Sequence, residues 1–293
     1  MDIFITGAGG FLGKYIIKRL KKNNQYTIYA TSLYATDLEE FVNDIIFVPN
    51  EEVLAFDFAG IDIVINCAFP RAADGAGYAN GLDFLNNLFK KIQPYRTCGI
   101  IDISSQSVYS FQRTEPASEE TPLVLGAVYD VAKYCMEMLI DARCAGHKII
   151  HLRLASLIGP KFNQRIINRF SYKVIAGENI TVNGGNQLFG FLDVRDCADA
   201  IGTVVDKWDS VSTTPQVFNV GAEDSNSLKA IAEIAIRIGK EFGFTKSDLT
   251  TVESDEWKNT SLNADKFYKY FKWKPQYKLE DTTRTIFEDA LSE

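Results

Sequence analysis

Tyr129 and Lys133 stand four residues apart in Tyr129-Asp130-Val131-Ala132-Lys133, within a stretch patterned as a helix over 127–145. Residues at that spacing share a helix face, so a phenol and an ammonium can converge on one groove. A nearby ammonium favours the phenolate and draws a tyrosine down from its ordinary value of about 10, which makes it usable as a general acid or base. A second candidate lies upstream, where Ser104-Ser105-Gln106-Ser107-Val108-Tyr109 follows the strand-like run Gly99–Ile103. Open α/β sheets place ligands at the C-terminal edge of their strands, where a serine hydroxyl can hold a carbonyl or alcohol oxygen beside the tyrosine. Taken singly, Tyr-x-x-x-Lys on a solvated helix and a serine closing a strand are both commonplace. Their joint occurrence gains weight from a third feature.

That feature is Thr6-Gly7-Ala8-Gly9-Gly10-Phe11-Leu12-Gly13, entered directly from the apolar run Ile3-Phe4-Ile5. Gly7, Gly10 and Gly13, spaced three apart, describe a strand, a tight turn and a helix start. The first glycine permits backbone angles closed to other residues, and the later ones let a pyrophosphate and the strand approach the helix. Unpaired N–H groups and the positive dipole end of the helix then face the phosphate oxygens. The helical spacing of Tyr15, Ile16, Ile17 and Leu20 and a second strand at Tyr26–Ala30 complete a βαβ unit of the expected size. The loop therefore predicts a dinucleotide site. After the second strand come Ala30-Thr31-Ser32-Leu33, with no acid before Asp37. A carboxylate there would accept from the adenosine 2′-OH and repel a 2′-phosphate, whereas Thr31 and Ser32 can donate to that phosphate. The expectation is NADP(H), with NAD as the alternative.

Strand-like runs recur at Ile3–Ile5, Thr27–Ala30, Ile45–Val48, Ile61–Asn66, Gly99–Ile103 and Lys148–Leu152, alternating with helical patterns at 12–22, 37–43, 80–92 and 127–145. Such alternation predicts an α/β fold, a doubly wound parallel sheet of the Rossmann type with helices on both faces. After about residue 155 the rhythm changes: Gly159-Pro160 breaks the chain, helices follow at 164–176, 196–207 and 227–242, and strands at Ile180–Val182, Phe189–Val194 and Val217–Val220. The division expected is a dinucleotide-binding domain over 1–155, to which segments near 189–220 return, and a smaller C-terminal α/β substrate-binding lobe over 156–293.

The chain has 293 residues, 46% hydrophobic and 24% charged, the composition of an ordinary globular protein. Its formal net charge of -7 argues against a general nucleic-acid binder. Cys67, Cys98, Cys135, Cys144 and Cys197 lack Cys-x-x-Cys spacing and read as small buried hydrophobes, not disulfides or a zinc site. His147 and His151 are too few and isolated for a metal, so no metal is expected. Lys18, Arg19, Lys21 and Lys22 read as the exposed face and last turn of the first helix. No signal peptide or bilayer-length apolar run is evident, and the expected location is cytoplasmic, away from membranes.

The motifs together resemble the extended short-chain dehydrogenases/reductases, the group that contains NAD-dependent epimerases and dehydratases of nucleotide sugars. The resemblance runs through the glycine loop at 6–13, Val-Ile-Asn-Cys-Ala at 64–68, Asn80 opening the next helix, Ser104–Tyr109 and Tyr129–Lys133. It continues through residues 152–160, 191–200 and 218–221 to the terminal stretch 261–275. It implies Tyr129 as acid/base, Lys133 as the residue that binds the nicotinamide ribose and tunes Tyr129, and Ser105, four residues before Tyr109, as the carbonyl-positioning hydroxyl. It also implies cofactor contacts from Phe11, Leu12, Cys67 and Ala68, and a substrate contact from Ser107.

Departures narrow the activity. The Asp-Glu pair of the family's dehydratases is replaced by Gln106 and Ser107, which speaks against dehydration. Phe189 stands where UDP-sugar epimerases carry a diphosphate-clamping arginine, and Ser156 where an asparagine is common. Lys161, Arg165 and Arg169 could bind phosphate instead, or form a solvated basic face. The resemblance thus implies a 4-ketoreductase acting on a nucleotide-linked 4-keto-6-deoxysugar, so that the small-molecule partner is a nucleotide-diphosphate sugar. A 4-epimerase with tightly held NAD is the close alternative, and a non-catalytic dinucleotide sensor the remote one. It further implies a homodimer through helices 80–92 and 127–145, with apolar material from Phe84, Leu88, Phe89, Tyr134, Met138 and Leu139, some of which must serve the core instead.

Overall fold

The computed structural model describes residues 1–70 and 74–292. The chain divides into two compact units, the first made of Met1–Ser110, Pro122–Arg153 and Ala198–Phe218, the second of Phe111–Thr121, Leu154–Cys197 and Asn219–Glu293. The returning segment is thus shorter than 189–220, and residues 111–121 leave the first unit for the second.

In the first unit, β1 (Asp2–Thr6), β2 (Thr27–Ala30), β3 (Ile46–Phe47), β4 (Ile63–Asn66), β5 (Gly99–Ser105), β6 (Ile149–Leu154) and β10 (Gln216–Val220) form one sheet. It is the expected parallel sheet, with seven strands in the order β10-β6-β5-β4-β1-β2-β3. Ile3, Phe4 and Ile5 of β1 and Ile63, Val64 and Ile65 of β4 are fully buried, as continuous apolar runs require in strands covered on both faces. The connections are α1 (Phe11–Leu20), α2 (Gly75–Ile92) and α3 (Val128–Arg143), with most of α5 (Val194–Asp206) returning before β10. Strand order reverses between β1 and β4, which opens the crevice at their C-terminal ends where doubly wound sheets take ligands. The core under α2 and α3 packs Phe4, Phe58, Leu88, Phe89, Met136 and Ile140 together.

Several local expectations shift. α2 begins at Gly75, where Asp74 caps it by accepting from the Gly77 N–H at 2.8 Å, so Asn80 lies inside the helix and does not open it. Gly75, Gly77 and Gly81 had masked the first turns. The helical pattern at 37–43 is a 3₁₀ turn over Ala35–Phe41. Arg19 is not on the exposed face of α1: it is largely buried, with Nε donating to Asp199 at 2.6 Å and NH2 donating to Asp206 at 2.7 Å. Of the six apolar residues expected at a dimer contact, Leu88 and Phe89 are fully buried, and Phe84 and Leu139 pack on the same core. Only Met138 of the six is more than half exposed.

In the second unit, β7 (Ser156–Ile158), β9 (Leu188–Asp193) and β11 (Ser225–Ser227) make one small sheet, while β8 (Ile180–Asn183) pairs in parallel with β12 (Leu249–Val252). Helices α4 (Ile166–Ile175), α6 (Leu228–Glu241) and α8 (Leu279–Ser292) bury Ile167, Phe170, Ile231, Ile238, Ile286 and Phe287 between them, and α7 (Asp265–Phe271) precedes α8. Strands β7, β11 and β12 were not anticipated, because runs of three or four residues carry no readable period, and the last two helices were not anticipated either.

The glycine loop leaves no slack. A Cβ on Gly13 would stand 2.5 Å from the Ala8 carbonyl oxygen and 2.6 Å from both the Ala8 Cα and the Gly7 carbonyl oxygen, all backbone atoms. Gly13→Ala is therefore expected to lower the urea midpoint by the equivalent of ~1–3 kcal/mol, as overpacking does. An unchanged midpoint would mean that α1 can be displaced from β1 without cost.

Candidate functional site

The site is assembled at the C-terminal edge of the first unit's sheet. Gly7 has φ +63°, and a Cβ there would lie 2.8 Å from the Ala68 nitrogen, so the loop after β1 and the end of β4 touch backbone to backbone. The Ala68 N–H donates to Thr6 Oγ1 at 3.2 Å and the Cys67 N–H to the Thr6 carbonyl at 3.2 Å, fixing that approach. Gly10 precedes α1 and no side chain caps the helix. Leu12 is buried and the Phe11 ring packs on Tyr15 at 5.8 Å, so Phe11 and Leu12 offer a ligand their backbone N–H groups at the helix start. Burial pushes the Cys67 thiol up to about 12 despite Lys133 nearby, which leaves it neutral.

Thr31 and Ser32 are both buried beside this loop. Thr31 Oγ1 has no hydrogen-bond partner among the described residues, while Ser32 Oγ donates to Asp37 Oδ2 at 2.7 Å. A Cβ on Gly9 would meet Ser32 Oγ at 2.3 Å and Asp37 Oδ2 at 2.9 Å. The end of β2 is therefore not free of acid: the 3₁₀ turn carries the Asp37 carboxylate back to Ser32 and the glycine loop. Sequence distance had hidden it.

Ser105 closes β5, and its Oγ accepts from the Ser107 N–H at 3.1 Å to start a short 3₁₀ turn. Ser107 Oγ is buried with no partner among the described residues, a hydroxyl left for a ligand. Tyr129 lies in the first turn of α3, 36% exposed, its ring edge-on to Phe69 at 5.6 Å and to Tyr78 at 6.2 Å. Lys133 is buried, its Nζ donating to the Ile103 carbonyl at 2.8 Å and lying 3.9 Å from the Phe69 ring centroid. Tyr129 and Lys133 are thus brought to one aromatic ring. Phe69, two residues beyond Cys67, was missed, and only its place after the end of β4 could have flagged it. Burial pulls the Lys133 ammonium down to about 8, against the opposing pull of Asp102, Cys67 and Glu137.

Behind Lys133 lies a buried charge network that sequence reasoning did not anticipate. Thr6 Oγ1 donates to Asn66 Oδ1 at 2.8 Å, and Asn66 Nδ2 donates to Asp102 Oδ1 at 2.9 Å. His151 places Nδ1 2.9 Å from Asp102 Oδ2 and Nε2 3.1 Å from Asp141 Oδ1. Arg153 donates to both oxygens of Glu137 at 3.0 and 2.7 Å and to the Tyr109 hydroxyl at 2.9 Å, and Ser104 Oγ donates to Glu137 as well. Burial opposes charge on His151, but its bonds to Asp102 and Asp141 prevail and hold it up to about 10. The legible signal was polar residues at alternate positions of β5 and β6, whose every residue up to Ser104 and Leu154 is buried. His147, by contrast, is a core residue between the carbonyls of Cys98 and Gln93.

The remaining candidates belong to the second unit. Ser156 is half-buried on β7, and Lys161 lies 3.7 Å from Asp289. Arg165 donates from Nε to the Leu157 carbonyl at 3.1 Å and stacks on Phe162, so its guanidinium is partly committed within the fold. Phe189 stacks on Phe191 at 6.1 Å, an apolar use of the position where a clamping arginine was sought. Among the described residues, no group of His, Cys, Asp and Glu could hold a metal ion, and no helix is long and apolar enough to cross a membrane.

With this geometry in view, the model of the NAD dependent epimerase/dehydratase family matches residues 3–221. The chain belongs to that family. It is 23% identical over 316 residues to UDP-glucuronic acid decarboxylase 6 of Arabidopsis thaliana, covering 99% of this chain and 88% of the relative. Among solved structures it is similar to dTDP-glucose 4,6-dehydratase from Bacillus anthracis str. Ames in complex with NAD, with TM-score 0.84, 21% identity, and 100% and 97% of the two chains covered. UDP-glucuronic acid 4-epimerase from Bacillus cereus in complex with NAD gives TM-score 0.83 at 20% identity, covering 100% of this chain and 99% of that one.

His151 gives this family member a pH signature. Its proton is held more tightly in the folded chain than at the ordinary value of 6.5, so its contribution to stability is complete below that pH and vanishes as pH rises through about 10. Asp141→Asn, at the 45% exposed end of the network, removes one of the two carboxylates that hold this proton. The thermal midpoint of the variant is expected to complete its alkaline decline at lower pH than wild type and to fall by less across it, since the onset is set by the unfolded value. Superimposable profiles would remove His151 from the charge balance.

Proposed function

We propose that this chain moves hydride at an alcohol or keto carbon of a nucleotide-linked sugar, with Tyr129 as acid/base, Lys133 as its electrostatic partner and ribose ligand, and Ser105 as the hydroxyl that positions the reacting oxygen. The observation that carries the reading is the meeting of Tyr129 and Lys133 on Phe69, beside a glycine loop and the end of β5. Two buried hydroxyls without partners among the described residues, Thr31 Oγ1 and Ser107 Oγ, suit a bound dinucleotide and substrate. When bound, the nicotinamide supplies the hydride donor or acceptor. Tyr129 gives a proton to the sugar oxygen or takes one from it, and the Lys133 ammonium lowers the cost of the phenolate. Gly7, Gly10, Gly13 and the N–H groups of Phe11 and Leu12 would hold the pyrophosphate of such a cofactor, with Cys67 and Ala68 beside them at the end of β4.

Asp37 decides between cofactors in this reading. Its carboxylate, held by Ser32 against Gly9, would accept from a 2′-OH and repel a 2′-phosphate, so NAD(H) replaces the NADP(H) that the acid-free end of β2 suggested. That choice moves the balance from ketoreductase to epimerase, since a sugar oxidised and then re-reduced needs no cofactor exchange. Gln106 and Ser107 still tell against dehydration. The named relatives act on UDP- and dTDP-linked sugars, which supports a nucleotide sugar as substrate. Ser156 and Lys161 are the proposed contacts to it, with Arg165 contributing from the helix start of α4.

The direct test incubates the protein with a panel of UDP- and dTDP-linked hexoses, hexuronic acids and 4-keto-6-deoxyhexoses and either NAD⁺ or NADPH. Epimerisation yields a product of unchanged mass and no net change in cofactor, and reduction consumes NADPH one for one. Absence of both would overturn the reading. Tyr129→Phe is expected to lower kcat by ~10²-fold or more, since it deletes the proton-transfer group, while NADH binds as in wild type. Asp37→Ala should raise the affinity for NADPH relative to NADH by tenfold or more, measured by fluorescence titration. A wild type that already prefers NADPH would return the assignment to a reductase.

A further inference from the structure

The network behind α3 holds three cations and three anions. His151 has a carboxylate oxygen at each ring nitrogen, so with both acids ionised only the doubly protonated imidazolium satisfies both bonds. Arg153 is committed to Glu137 by two hydrogen bonds. Lys133 differs from these two. Its ammonium bonds to a backbone carbonyl, that of Ile103, and not to a carboxylate. The groups that face it are Asp102 from β5, Cys67 from the end of β4 and Glu137 from its own helix, with His151 and Arg153 behind them on β6.

Glu137 is already spent on Arg153 and Ser104, and Cys67 is a neutral thiol. Asp102 is the less fully matched carboxylate, because Glu137 holds the Arg153 guanidinium by two bonds while the one imidazole that bonds Asp102 is shared with Asp141. Asp102 immediately precedes the residue whose carbonyl receives Lys133, its two oxygens are bonded to Asn66 and His151, and it has no access to solvent. We propose that Asp102 is a positioning residue that keeps the proton on Lys133, its carboxylate held in place for that purpose by the hydrogen bonds to His151 and Asn66. His151 sits one strand further from Lys133 than Asp102 does, so a change at Asp102 outweighs any compensating change at the imidazole. The inference deepens the reading of Lys133 as the ribose ligand and partner of Tyr129, and rests on that reading only for its consequence in catalysis.

Asp102→Asn keeps the shape and one acceptor oxygen, which can serve Asn66 or the His151 N–H but not both, while deleting the charge, and Asp102→Ser deletes the same charge with less bulk should the amide not fold. The probe is the protein labelled with [ε-13C]lysine, titrated by NMR, the Lys133 signal being the one missing from Lys133→Met. In wild type this signal should titrate near pH 8, where burial places it. In the charge-deleted variant its midpoint should fall by about one pH unit or more, as loss of an adjacent opposite charge dictates. A midpoint that stays in place, in a variant with wild-type near-ultraviolet circular dichroism, overturns the proposal, because a merely structural role for Asp102 would not move the lysine. NADH affinity, followed by fluorescence over the same pH range, separates the two readings. If the lysine midpoint falls but the loss of NADH affinity does not follow it, Asp102 tunes Lys133 and the assignment of Lys133 as ribose ligand fails.

Discussion

A lysine ammonium carried into a parallel sheet that is covered on both faces is the constraint on which the first unit turns. Left unbalanced, such a charge would neutralise itself or expel the helix that bears it. Lys133 is accommodated because β5 and β6 give α3 a polar face: Asp102, Ser104, His151 and Arg153 occupy alternate positions and meet Glu137 and Asp141, one and two turns beyond Lys133 on the same helix. The interleaved positions Ile101, Ile103, Ile150 and Leu152 stay apolar. Removing one partner of a buried ion pair typically costs ~3–5 kcal/mol, so the network resists sliding or rotation of α3 more sharply than apolar packing would. Tyr129, one turn before Lys133, takes its place from that restraint.

The same polar line reaches the opposite side of the site. Asp102 is tied to Asn66 on β4, and Asn66 to Thr6 on β1, whose hydroxyl also receives the Ala68 N–H. One chain of hydrogen bonds therefore crosses adjacent strands from α3, through His151, to the first residue of the glycine loop. In a doubly wound sheet these strands are joined mainly through backbone ladders, which fix spacing but leave the C-terminal loops to their own contacts. Here side chains at the strand ends hold the loops as well.

How far the sequence carries depends on whether a feature is encoded by spacing or by proximity. The alternation of strands and helices, the glycine turn, and Tyr129 with Lys133 on one helix face are all periodic facts, and the sheet and its order of elements followed from them. Asp37 is seven residues past the end of β2 and returns to Gly9 only through a 3₁₀ turn, so no spacing rule could place it. His151 was read as isolated because no cysteine, histidine or acid stands near it in a metal-ligand pattern. Its partners lie on another strand and on a helix, and pairing them requires the register. Leu88 and Phe89 prove to be core residues, and an amphipathic helix announces an apolar face without saying whether the core or a second chain covers it. β7, β11 and β12 fall below the length at which any period can be counted.

The position of Lys133 on the pH scale bears on which chemistry the site suits. A proton-transfer group works best when its two states are close in energy at working pH, and this holds for the pair Tyr129–Lys133 as for a single residue. An ammonium lowered to about 8 by burial is near that balance, whereas one at its ordinary 10.5 would be a fixed charge. Burial without a direct carboxylate bond leaves Lys133 at that intermediate strength, and its place against Phe69 brings the ammonium to the ring that Tyr129 also meets.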